Sequence, residues 1–304
     1  MNIKRLAATG VMLAMLLTGA VMAHGETADF GNPADFKTGM EENFYVQEGS
    51  FRELDTIEMA SQGKLMSCFG NNAGSVYTVF FLPPAPEQDY AIGNPQRGWA
   101  DEAPTAIDDP EIENYPANPF FSPAGWQYKL RQDEALVLFT ELPPQCKYYS
   151  FINYILFTQE KELKDYTGEK AYFRVGNQDI GLYHPVFGSI GSSIHAGNVK
   201  STDGSPYGSQ AVIVISANQT VTDTVLAQLK ASGFSEDVIN VMTIPAETYR
   251  MGLEKGKDTF AFLGRISQPE SQEDYDAYIA NLKETSTVYR VTPKEEVADA
   301  PYEN

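Results

Sequence analysis

Two of the chain's three histidines, His184 and His195, share one stretch with several serines and glycines, residues 181–197 (GLYHPVFGSIGSSIHAG). Ser192 or Ser193 beside His195 would supply a nucleophile and its base, with a carboxylate such as Asp179 or Asp203 to orient the imidazole. The glycines would let the backbone turn sharply and approach a ligand closely. Against this, the run Gly191-Ser-Ser-Ile-His195 lacks the final glycine of the G-x-S-x-G elbow, and no clear strand–turn–helix surrounds it. The plainer reading is a glycine-rich connector in which His195 makes an ordinary hydrogen bond. As a binding segment, the stretch would offer Tyr183, His184 and His195 to a ligand.

Residues 1–23 read as a secretory signal peptide. Lys4 and Arg5 form its charged start, an apolar run follows, and Val21-Met22-Ala23 supplies the small-residue cleavage site. The apolar run is shorter than the ~20 residues a helix needs to span a bilayer. No cysteine follows it to carry a lipid anchor. Cleavage after Ala23 would make His24 the first residue, followed by Gly25. That start is similar to the start of lytic polysaccharide monooxygenases. The resemblance covers these two residues, and it implies copper held by the amine and ring of His24 with a second histidine, His184 or His195.

Other metal and phosphate chemistry finds less footing. Residues 83–125 hold nine prolines and the carboxylates Asp101, Glu102, Asp108, Asp109, Glu111 and Glu113. Calcium wants several oxygen ligands, but these match no EF-hand spacing, so a solvated acidic loop is the better reading. Neither a P-loop nor a dinucleotide fingerprint occurs, and no motif requires a cofactor. The formal net charge is −19, and removal of the leader makes it −21. Such a balance opposes nucleic acid and anionic membrane surfaces. Cys68 and Cys146 are the two cysteines, and an oxidising compartment would let them pair as a disulfide or leave two buried thiols.

The elements that must position these groups follow from periodicity. Residues 24–63 read as a polar N-terminal lead with at most a short helix. Residues 64–197 read as a β-rich domain. Its strands are 75–82, a hairpin over 126–142 with its turn at 131–134, an aromatic strand over 147–157 covered on both faces, and 171–175. Residues 198–293 alternate strand 211–215, helix 220–232, strand 238–244, a helical turn at 246–253, strand 259–266, helix 270–282 and strand 285–291. That order suits a ferredoxin-like βαββαβ unit. Residues 294–304 read as a frayed acidic tail.

The expected fold is therefore α+β, with a β-rich, sandwich-like N-terminal half packed on a ferredoxin-like C-terminal half. The expected function is an exported binding or interaction protein, secreted or periplasmic. Its partner would be a small molecule or a protein, and its site would lie near residues 181–210, where the halves meet. It would keep no integral membrane segment after leader cleavage. The alternative is a secreted hydrolase using Ser192 or Ser193 with His195, and the more remote one is the copper site at His24.

Overall fold

A computed structural model describes residues 29–54, 75–86, 88, 126, 128–161, 182–254 and 257–302. The signal peptide, His24, Cys68, Asp179, the expected strand 171–175 and nearly all of the Pro-rich loop lie outside the described residues.

The strands form one mixed nine-stranded sheet that curls toward a closed barrel. In chain order they are β1 (Phe44–Leu54), β2 (Ser75–Phe81), β3 (Ala135–Glu141), β4 (Cys146–Lys161), β5 (Leu182–His195), β6 (Gln210–Ser216), β7 (Ile239–Thr243), β8 (Thr259–Pro269) and β9 (Thr287–Pro293). Their order across the sheet is β5-β4-β8-β2-β1-β9-β3-β6-β7. Every ladder is antiparallel except β6–β7. At the closing edge β5 approaches β7. A Cβ on Gly191, whose φ is +66°, would stand 3.2 Å from the Thr243 carbonyl oxygen.

This sheet overturns the expected sandwich and ferredoxin-like pair. The C-terminal helices and strands form largely where periodicity places them, but they do not build a unit of their own. β8 lies between β4 and β2, and β9 lies between β1 and β3. The physical reason is burial. β8 is inward-apolar through Phe260, Phe262 and Ile266, and β9 buries both Val288 and Val291, so each is covered best with a partner strand on both edges. The hairpin expectation also fails in its first arm. Tyr128 and Leu130 bridge to Phe260 and Gly252, while β3 pairs with β6 and β9. Nor is β4 covered on both faces throughout, since Tyr148 is 45% exposed.

Three α-helices pack on the sheet among the described residues. In α1 (Pro33–Met40), the Asn32 side chain accepts from Ala34 N–H and proline occupies the first turn, where no amide donor is missed. In α2 (Gln219–Ala231), Asn218 caps Val221 N–H, and Val221, Val225 and Leu229 are buried. In α3 (Gln272–Thr285), Ser271 caps Asp274 N–H, and Tyr275, Tyr278 and Leu282 are buried. α1 and α2 cover the outer face of β3, β6 and β9 through Phe36, Phe139, Val214, Val225, Leu229 and Tyr289. α3 joins the inner core around Phe51, Phe80, Phe151 and Phe262. There, Phe80 and Phe262 stack at 4.0 Å. Gly264 keeps that layer closed, because a Cβ on it would meet the Thr78 hydroxyl at 2.1 Å. β6 is buried on both faces, with Ile213 and Ile215 inward and Val212 and Val214 under the helices. Among the described residues no helix is long and apolar enough to cross a membrane.

Cys146 carries a free, buried thiol, whose pKa burial raises. With Cys68 outside the described residues, the structure gives the expected disulfide no support. The tail is not frayed as far as Tyr302: its backbone hydrogen-bonds to Asp133, Asn218 and Gln219.

Candidate functional site

A buried ion pair organises one end of the sheet. β3 and β9 pair with Leu136 opposite Arg290, so Glu134, just before β3, falls beside Arg290 and Thr292. Both Glu134 and Arg290 are fully buried. The guanidinium grips the carboxylate with two bonds, Nε to Oε1 at 2.9 Å and Nη2 to Oε2 at 2.8 Å. Its remaining donors reach the Pro83 carbonyl at 3.1 Å and the Lys129 carbonyl at 2.6 Å. Glu134 also accepts from Arg131 N–H at 2.8 Å and from the Thr292 hydroxyl. Desolvating two charges is repaid only when the lone pairs and protons are satisfied in this way.

Lys129 extends the network. It is 2% exposed, and its ammonium donates to the carbonyls of Glu254 at 3.0 Å and Lys257 at 2.8 Å. Gly252 N–H meets the Leu130 carbonyl at 2.8 Å, at a φ of +137° that favours glycine. The loop before β8 is thereby held against the turn before β3. Tyr128 lies beside the pair. Burial pushes its phenol pKa up, and the Arg290 charge pulls against that.

Above this base the chain leaves a cavity of about 640 Å³. Its lining includes Gln88, Arg131, Asp133, Glu254, Lys294 and Asp299. Arg131 and Asp133 form a two-point ion pair at 2.8 and 2.7 Å, and Asp133 also accepts from Val297 N–H at 3.2 Å. Lys294 donates to the carbonyls of Glu41 at 2.7 Å and Glu42 at 3.2 Å. The cations of the lining are thus engaged. The lining carboxylates Glu254, Glu296 and Asp299 enter no ion pair among the described residues.

The serine–histidine stretch runs along the sheet, with Ser192, Ser193 and His195 at the end away from the cavity and its first residues beside the end of β4 that meets the start of β8. It is not a connector but the edge strand β5, paired along β4 with Ser150 opposite His195. Tyr183 and His184 stand in β5 opposite Gln159 and Thr158, and only their backbone is described. The Nδ1 of His195 accepts from Gly197 N–H at 3.0 Å. The His195 amide donates to Asn198 Oδ1 at 2.7 Å, and the Asn198 side chain donates to the Ser193 carbonyl at 2.9 Å. Among the described residues no hydrogen bond joins the His195 ring to the hydroxyl of Ser192 or Ser193. Asp203 belongs to a separate loop, where the Ser209 hydroxyl and Ser205 N–H hold its carboxyl below the usual range. No cluster of three metal-ligating side chains occurs among the described residues.

Sequence reasoning passes over the cavity residues. Arg131-Gln-Asp-Glu134 reads as a polar turn, and Arg290 sits unremarked in strand 285–291. A signal was present, because a single arginine between Tyr289 and Val291 in an apolar strand requires a buried anion. No protein-family model, no curated protein and no solved structure matches this chain, so the site stands on its own geometry.

Proposed function

We propose that this chain is an exported binding protein that takes a small, positively charged organic ligand in the cavity beside Arg131 and Asp133. This places the site away from residues 181–210. The observation that carries the reading is the cavity itself. Its volume falls among those of small-molecule sites, roughly 300–1,000 Å³. Two of its walls, the turn before β3 and the loop before β8, are pinned from behind by Arg290, Glu134 and Lys129, so little ordering of them remains to be done on binding. Its ion-paired and carbonyl-bound cations leave Glu254, Glu296 and Asp299 as the charges able to meet a ligand. The net charge of −19 draws cations toward it. Export is supported by the leader pattern of residues 1–23.

Isothermal titration calorimetry of the mature protein tests this with spermidine, lysine and choline against glucose and succinate. The expected result is saturable binding of cations, weakened by added salt. Glu254→Gln and Asp299→Asn should each lower affinity roughly two- to threefold, the scale of a partly exposed charge pair. Equal binding of succinate, or no saturable binding of any cation, would overturn the reading.

A further inference from the structure

Lys294 still donates its backbone N–H to the Asn43 carbonyl beside the β1–β9 ladder. Residues 295–302 follow without joining any strand or helix, yet they supply Glu296, Val297 and Asp299 to one wall of the cavity. Four hydrogen bonds hold the segment from Val297 to Tyr302, and the partly buried Val297 side chain packs on the outer core. Val297 N–H meets Asp133 Oδ2 at 3.2 Å, and Asn218 Nδ2 meets the Ala298 carbonyl at 3.0 Å. Gln219 N–H meets the Ala300 carbonyl at 2.7 Å, and the Tyr302 hydroxyl bonds that of Thr222 on α2. Three of these four partners sit in the cap and first turn of α2. The preceding strand β9, by contrast, is laddered on both edges. A segment tied by so few bonds opens at lower cost than a central strand.

We propose that residues 295–302 are a strap that opens and closes as a unit over the cavity, latched by Tyr302 on Thr222. A cation bound between Glu254 on the loop and Glu296 or Asp299 on the strap would hold it shut. The opening is independent of the ligand, whereas the coupling rests on the binding reading above.

Two amides report the motion. Gln219 is the first residue of α2 and has no acceptor within the helix, so its protection comes from Ala300. Val297 N–H is protected by Asp133 at the other part of the strap. Hydrogen exchange by NMR on the full chain should show both amides exchanging together, faster than the ladder amides of β9. Tyr302→Phe should speed both roughly fivefold by removing one hydrogen bond, and leave β9 unchanged. Spermidine at ten times its Kd should slow both roughly tenfold by linkage. Exchange of the two amides only together with β9, or at unrelated rates, would overturn the strap, as would no response to Tyr302→Phe. If spermidine binds and neither rate changes, the coupling is wrong. If spermidine does not bind, the binding reading falls, and the ligand-free rates still decide whether the strap opens.

Discussion

The two ends of the sheet hold their polar groups in opposite ways. At the cavity end, Glu134 and Arg290 are fully buried, and their bonds tie β9 to the turn before β3, to Lys129 and to the chain after β2. At the other end, the His195 and Asn198 side chains bond only within residues 193–198 among the described residues. A network spanning distant parts of the chain fixes a cavity wall, while a local one fixes only a turn. The difference predicts a steep gradient in what substitution costs.

The largest effect is expected at Arg290. Arg290→Met strands the Glu134 carboxylate and should cost about 3–5 kcal/mol in denaturant unfolding. The double variant Arg290→Met with Glu134→Leu should recover much of that loss, because the unpaired charge is gone. A single substitution no costlier than a surface change would remove the contrast between the two ends.

Lys129→Met comes next. It deprives two loop carbonyls of a charged donor and should cost about 2 kcal/mol. Amides of residues 250–254 and 257–258 should exchange faster while those of β6 do not. Uniform loosening of the sheet would instead mean that Lys129 supports the core rather than the cavity wall.

His195→Ala should cost under about 1 kcal/mol, since it removes one local bond at a partly exposed position. Thermal unfolding checks this, and a loss as large as that at Lys129 would show His195 to be wired beyond its turn. Smallest is the effect of Ser209→Ala, which should raise the Asp203 carboxyl back toward its ordinary range in an NMR titration. The Asp203 pKa is depressed, so its stabilising contribution is present above the unfolded value and is lost as pH falls through the folded value. The variant should show a weaker loss of stability in that acid range.

Residue patterns made much of the element content legible. β2, β6, α2, β7, β8, α3 and β9 lie close to where alternation or helical spacing places them, because each buries a regular apolar set. β1 escaped notice because Gln47, Glu48, Arg52 and Glu53 interrupt its alternation, although it lies between β2 and β9. β5 escaped because glycine and serine dominate its C-terminal half, and its pairing along β4 makes it a strand despite that composition. The serine–histidine stretch drew attention through residue type alone, and type says nothing of where a ring nitrogen points.

The sequence by itself determined the leader pattern, the acidic balance and the local periods, since these depend on residues near one another along the chain. Only the tertiary structure decided that β8 and β9 pair with strands of the N-terminal half, and that Glu134, Lys129 and Arg290 join behind a cavity lined by Arg131, Asp133, Glu254 and Lys294. Glu134 and Arg290 are separated by 156 positions in the chain. A local apolar period states that a strand must be covered, but it does not state by which strand, so neither the pairing nor the charges it brings together could be read from it.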